Sequence, residues 1–396
     1  MSFENKQPIW TKSFIGVFMT QLSVFMVFYA LITTLPLYVI NHLGGSGADG
    51  GLVVTAMLVS AILIRLFSAT ILDIVGMKKG LILGVAAFAL TTCVYIWVNG
   101  FISLLVLRFI HGLSFGFLST ATGAIAANVV PRERHGEGIG YFAMSANLAV
   151  VLGPFVGLSL LQYIPYQTLF IVLSILTIAA VLFAAFVQVE HEKNAAIKQT
   201  KQKFSINDFI ETKAISISLI GALTSFVYAS IISFVSVYSD SIGLSETASY
   251  FFLIYAAAMI ISRPYFGKKF DRHGPNYVII PGLLLFAAGL AMLSFTESSW
   301  MLILSAAIIG LGFGTLTPSF QTMAVQSTHP SRSGHATATF FTLYETGIAT
   351  GSFVLGLLGS HIGFQMLYTI CAFIILAVMG IYLIFQRRKR KQEHSY

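Results

Sequence analysis

The sequence predicts an all-α integral membrane protein with twelve transmembrane helices arranged as two six-helix pseudo-repeats. Three observations lead there: an extreme composition, the lengths of the apolar runs, and an internal alignment that holds at one offset. Of 396 residues, 56% are hydrophobic and only 10% charged, with a mean hydropathy of +0.84, far from the balance of a water-soluble domain. About 20 apolar residues in a helix cross the hydrocarbon core of a bilayer. Runs of that length fall at 13–40, 51–72, 80–98, 101–127, 139–161, 167–188, 213–239, 248–267, 277–295, 300–325, 335–359 and 364–386. The first run is too long for the core of a signal peptide and no small-residue cleavage site clearly ends it, so it reads as a retained span.

The longest polar break, 189–212, is rich in Lys and Glu and separates an N-terminal half, 1–188, from a C-terminal half, 213–396, that ends in a basic tail. Sliding one half onto the other by 198 residues pairs Arg65 with Arg263, Asp73 with Asp271, Gly76 with Gly274 and Gly84 with Gly282. The same offset pairs "GLSFG" (112–116) with "GLGFG" (310–314), Arg134 with Arg332, Gly136 with Gly334 and Gly153 with Gly351. Parallel repeats of this kind are a known architecture of secondary transporters, with substrate sites near the membrane midplane between halves.

The net charge of +8 is distributed as topology rather than as a nucleic-acid surface. Of 23 Lys and Arg, all but Arg65, Arg108 and Arg263 lie in the termini or in loops after even-numbered spans. Loops after odd-numbered spans carry Asp49, Asp240, Glu246 and Glu297 and no Lys or Arg. Positive charge marks the cytoplasmic side, so both termini are expected there, in a multi-pass protein of the cell membrane. The tail "RRKRK" (387–391) is expected to fix orientation or meet anionic lipid rather than bind nucleic acid. Cys93 and Cys371 lie within spans at no metal-site or disulfide spacing and read as small core residues.

Ionisable residues inside spans are expensive, by at least about 2.5 kcal/mol at the helix centre, and are functional candidates. Glu345, in "FFTLYETGIATG" (340–351), is the one acid placed away from the span ends. A carboxyl group there can bind and release a proton as its access to water alternates, or can hold its helix to a neighbour. The internal alignment places Asn147 opposite it. In span four, "LLVLRFIHGLSFG" (104–116) sets Arg108 three residues before His111. The arginine stays charged and needs a partner or a wet cavity. The histidine is either a hydrogen-bonded helix contact or a proton carrier. Other cavity candidates are Gln21, Tyr29, Thr33, Ser114, Thr122, Phe226, Tyr228, Ser233, Thr317 and Gln321, each of which also reads as packing.

After spans two and eight the chain reads "RLFSATILDIVGMKKG" (65–80) and "RPYFGKKFDRHGPN" (263–276). Each has an acid at a helix end, where it can accept N–H groups from the start of a neighbouring helix, then a glycine suited to a tight turn. These turns resemble the signature of the major facilitator superfamily: Gly, three residues, Asp, Arg, any residue, Gly, Arg, Lys. The second copy matches at Gly267, Asp271, Arg272 and Gly274. The first keeps Asp73, Gly76 and Lys78 but has Ala69, Ile74 and Met77 at the other signature positions. The resemblance implies that these residues, with Arg65 and Arg263, form a conformational gate. It also implies that Arg108, at the place of a family arginine, assists proton transfer, with His111 standing where the family has glutamine.

Span five, "GYFAMSANLAVVLGPFVG" (140–157), resembles the antiporter signature of the same superfamily at Gly140, Gly153, Pro154 and Gly157, with Ala149 and Leu158 departing from it. Small residues four apart admit a close neighbour, and the proline invites a bend. Together these resemblances imply a twelve-span drug:proton antiporter: an exporter of small hydrophobic or amphipathic compounds working by alternating access. A proton symporter importing a sugar or carboxylate, with Arg108 as anion ligand, is the alternative within the fold. A non-transporting sensor or scaffold is the alternative outside it. The sequence carries no Walker-type phosphate loop and no metal-spaced His/Cys cluster, so the expectation is a monomer that is no enzyme, uses no cofactor and draws on a proton gradient.

Overall fold

A computed structural model describes residues 8–131, 134–189, 211–329 and 332–393. Twelve long helices appear in chain order: α1 (Lys12–Leu43), α2 (Gly47–Val75), α3 (Met77–Val94), α4 (Phe101–Val129), α5 (His135–Leu161) and α6 (Tyr166–Ala185). They continue as α7 (Thr212–Ser241), α8 (Ser245–His273), α9 (Asn276–Ser294), α10 (Ser299–Gln326), α11 (Ser333–Ile362) and α12 (Phe364–Glu393). A short 3₁₀ turn, Tyr95–Trp97, extends α3. All twelve helices are long and apolar enough to cross a bilayer, and no strand occurs among the described residues. The twelve expected spans are thus present, α4 and α12 beginning at the expected residue and the other helices beginning within a few residues of their apolar runs. Most of the expected linker, residues 190–210, lies outside the described residues.

Helices satisfy their own backbone in a solvent without water, which is why a membrane chain forms them. Polar side chains in the spans follow the same logic. Thr20, Thr34, Thr92 and Thr224 each donate to the carbonyl four residues back, at 2.7–2.8 Å, so the hydroxyls are satisfied inside the helix. Leu83, Ile175, Leu182 and Phe373 are each more than 60% exposed, and apolar surface of that extent belongs against lipid.

The chain forms two compact units, residues 1–34 with 56–202 and residues 35–55 with 203–396. The end of α1 and the beginning of α2 therefore pack with the second unit. In that unit Gly47, Gly51 and Thr55, four residues apart on α2, lie against α11. A Cβ at Gly51 would overlap the Ser352 carbonyl, and one at Gly356 would overlap the carbonyl of Gly47. The Ala48 amide donates to Ser360 Oγ at 3.1 Å.

Within each unit the repeat is visible in the contacts. A Cβ at Gly112 would overlap the carbonyl of Met57, and one at Gly310 that of Tyr255, which are equivalent positions 198 residues apart. Gly116 and Gly314 likewise press on Ala61 and Met259. Phe115 stacks on Phe28 of α1 at 4.1 Å, and its equivalent Phe313 stacks on Tyr228 of α7 at 4.0 Å. The α2–α3 and α8–α9 turns share one backbone solution, with Gly76 and Gly274 both at φ 88°, a conformation that an L side chain rarely adopts.

Candidate functional site

In the first unit Arg108 is fully buried on α4. Its Nη1 donates to the Tyr95 hydroxyl at 3.5 Å. The same hydroxyl lies 3.0 Å from His111 Nδ1, and His111 Nε2 lies 3.2 Å from Thr92 Oγ1. Thr92 donates its own proton to the Phe88 carbonyl at 2.7 Å, so it accepts from Nε2–H. Nδ1 then accepts from Tyr95, which in turn accepts from Arg108. With the imidazole neutral, the chain of donors runs Arg108, Tyr95, His111, Thr92, Phe88. Phe88 also faces the imidazole ring at 4.2 Å.

A second polar cluster joins three helices of the same unit. Gln21 of α1 donates to Ser145 Oγ of α5 at 3.0 Å and accepts from Thr122 Oγ1 of α4 at 2.9 Å. All three residues are buried. Nearby, α5 lies close along α1: a Cβ at Gly153 would come within 2.6 Å of the Met26 carbonyl, and one at Gly157 within 3.2 Å of Ala30 and Thr34. Pro154 sits inside α5 without ending it. Gly140, by contrast, has open space around it. Tyr29 and Asn147 are half-buried. Thr33 donates back to Tyr29 and Ala30 carbonyls, and Ser114 to that of His111.

In the second unit Glu345 is half-buried on α11. Its neighbour Tyr344 is fixed through its carbonyl, which accepts from Ser225 of α7 at 2.7 Å, and through its ring against Phe340 at 5.9 Å. Two residues on, Gly347 allows α11 to touch the α7 backbone at Ala222. Gly351, the equivalent of Gly153, does the same at the Phe226 carbonyl. Ser233 and Ser352 hydroxyls pair at 3.0 Å between α7 and α11. Tyr228 is buried between Phe313 and Tyr255. Phe226, Thr317 and Gln321 are half-buried.

The expected gate residues are placed unevenly. Asp73 and Asp271 are both exposed and, among the described residues, make no hydrogen bond or ion pair, so the expected carboxylate-to-helix contact is not formed here. Arg65 reaches Ser119 Oγ at 3.1 Å, and Arg263 lies 3.8 Å from Met259 Sδ. Lys78 is half-buried, while Gly267 and Arg272 are exposed. A fixed charge pair stands elsewhere: Arg332 Nε binds Glu211, whose carboxylate sits at the start of α7 with its side chain only 6% exposed. The Arg332 guanidinium holds the Glu211 carboxyl below the usual carboxylate range. The Glu211 amide donates to Thr339 Oγ1 at 2.9 Å. Among the described residues no group of His, Cys, Asp and Glu could hold a metal ion.

The profile of the Major Facilitator Superfamily matches residues 17–344 and 217–395. The chain belongs to that superfamily. A relative within it, an uncharacterized MFS-type transporter of Methanocaldococcus jannaschii, is 23% identical over 91% of this chain and 96% of its own. Multidrug resistance protein MdtG of Salmonella typhimurium is 24% identical over 92% of both. MdtG of Enterobacter lignolyticus is also 24% identical, over 92% of this chain and 89% of its own. Among solved structures, the nucleoside transporter NupG superposes with a TM-score of 0.78 at 14% identity, covering 94% of this chain and 99% of that one. A POT family transporter in complex with 5-aminolevulinic acid superposes at 0.77 and 13% identity, covering 94% and 96%. These likenesses establish the superfamily fold in a multi-pass membrane transporter.

The Arg108 network holds two residues that the sequence did not single out, Tyr95 and Thr92. Tyr95 lies in a 3₁₀ turn after α3, 13 residues before Arg108, and no local spacing announces that meeting. Gln21 and Thr122 were visible one by one, but their common partner Ser145 was not.

Proposed function

We propose that this superfamily member is a proton-coupled exporter of small hydrophobic or amphipathic compounds, exchanging protons for substrate by alternating access. The observation that carries the reading is the close seating of Gly153–Pro154–Gly157 of α5 along Met26, Ala30 and Thr34 of α1, the packing that the antiporter-like pattern requires. Relatives named multidrug resistance protein, though only about a quarter identical, support it.

In this proposal Glu345 carries the coupling proton, because a carboxyl within a span can change its charge while Arg108 cannot. Arg108 supplies a fixed positive charge, and Tyr95 with His111 sets where it points. No bound cofactor takes part, and the proton gradient supplies the energy. Both termini lie on the cytoplasmic side of the cell membrane, as the basic loops require.

The test is gradient-driven efflux from cells and inverted vesicles against a broad compound panel, with a protonophore control and with Glu345→Gln. Export abolished by the protonophore and by the substitution is expected. Undiminished exchange in Glu345→Gln would remove Glu345 from coupling, and energised accumulation instead of export would favour a nutrient symporter.

A further inference from the structure

On the first unit a groove of about 230 Å³ runs between α2, α3 and α4, walled by Ile64, Ile71, Val75, Gly84, Ala87 and Phe117. Small residues on α3 make the room and large ones on α2 and α4 make the walls. The single hydroxyl in its lining, Ser114, is turned into its own helix, donating to the His111 carbonyl at 2.7 Å. The interior therefore presents hydrocarbon and no free polar handle.

Two dimensions fit it to a lipid. From Ile64 to Val75 the wall follows about 16 Å of helix, roughly half of the 30 Å hydrocarbon thickness, which is the depth of one leaflet. Its rim is open to the surroundings, with Leu83 61% exposed, so in a bilayer a chain from the lipid phase must fill it.

The end of the groove is charged. Lys79 is exposed and lies four residues before Leu83, on the same face of α3, one turn nearer the membrane surface. With Lys78 beside it and Asp73 at the end of α2, the turn carries two bases and one acid, a net charge of +1. We propose that this groove binds one acyl chain of an anionic phospholipid, with Lys79 meeting the phosphate.

Purified full-length protein is delipidated in detergent and titrated with phosphatidylglycerol or phosphatidylcholine, and retained lipid is counted by native mass spectrometry. The wild type is expected to retain one phosphatidylglycerol several-fold more tightly than phosphatidylcholine. Lys79→Gln should bring the two lipids to parity. Ala87→Phe, which fills the groove, should weaken both lipids together, and Ala87→Leu serves if the larger residue impairs folding, as judged by thermal melting. Equal retention of the two lipids by wild type, or unchanged retention in the Ala87 variants, overturns the proposal and leaves only an unspecific lipid annulus. Displacement of bound lipid by a transported compound would assign the groove to substrate instead.

Discussion

The Thr55 hydroxyl donates to the Ala349 carbonyl at 2.6 Å, joining α2 to α11 across 294 residues of sequence. It closes a row in which Gly47 and Gly51 bring backbone against backbone at Ser352 and Gly356. Nothing larger than hydrogen fits at Gly51, because a Cβ there would meet the carbonyl oxygen of Ser352.

Gly51→Leu is therefore expected to separate α2 from α11, at an overpacking cost of about 1–3 kcal/mol. Expression should persist while transport falls at least tenfold. A paired substitution, Thr55→Cys with Ala349→Cys in a background lacking Cys93 and Cys371, should form a disulfide that arrests transport until it is reduced. Full transport with the disulfide in place would show that this contact never has to open.

His111→Gln and His111→Phe should behave differently. Glutamine offers an acceptor and a donor to Tyr95 and Thr92, so near-normal transport with an unshifted pH profile is expected. Phenylalanine removes the acceptor of the buried Tyr95 O–H, at about 1–3 kcal/mol for an unsatisfied group, while Thr92 keeps its bond to the Phe88 carbonyl, and should lower both melting temperature and transport. A pH profile displaced by the glutamine variant would instead make the imidazole a proton carrier.

Two glycines of the span-five pattern separate cleanly. Gly140 has open space around it, so Gly140→Ala should be tolerated and add up to about 1 kcal/mol of helix stability. Gly153→Leu should push α5 off the Met26 carbonyl and abolish transport. Comparable losses in the two variants would mean that the pattern acts through something other than helix contact.

The Glu211–Arg332 pair gives a pH dependence of known sign. Arg332 lowers the carboxyl pKa on folding, so the contribution is complete above the unfolded value of about 4.3 and is lost as pH falls through the lower folded value. Arg332→Ala should reduce the melting temperature by a few degrees at pH 7. The difference from wild type should shrink as pH falls below the unfolded value of about 4.3 and through the lower folded one. A constant difference across that range would assign the loss to packing rather than charge.

The spans were legible because membrane helices follow length and hydropathy, which are one-dimensional properties. The turns at Gly76 and Gly274 were legible because a repeated acid-to-glycine spacing leaves few backbone solutions. Helix rotation is another matter. Arg108 and His111 could be named from one stretch of sequence, but Tyr95 meets them from the 3₁₀ turn that extends α3, one turn beyond Thr92, and nothing in the local pattern marks that face of the helix. The Gly47, Gly51 and Thr55 row carried a readable signal, small residues four apart at the start of a span, yet its partner on α11 could not be deduced. Glu211 stood in the polar break before span seven, where a charged residue raises no question until Arg332 is found beside it.

The grouping of residues 35–55 with the second unit has a consequence for dissection of the protein. The chain passes between units near residues 34–35, 55–56 and 202–203, so a protease cut in the polar break severs one passage and leaves two. Helices α1 and α2 then act as a splice. Separately expressed halves divided at the break would each be incomplete, the N-terminal half carrying a tip, residues 35–55, that has lost its seat and the C-terminal half an open seat, and recombining them would restore the fold by exchange of that helical segment rather than by simple docking.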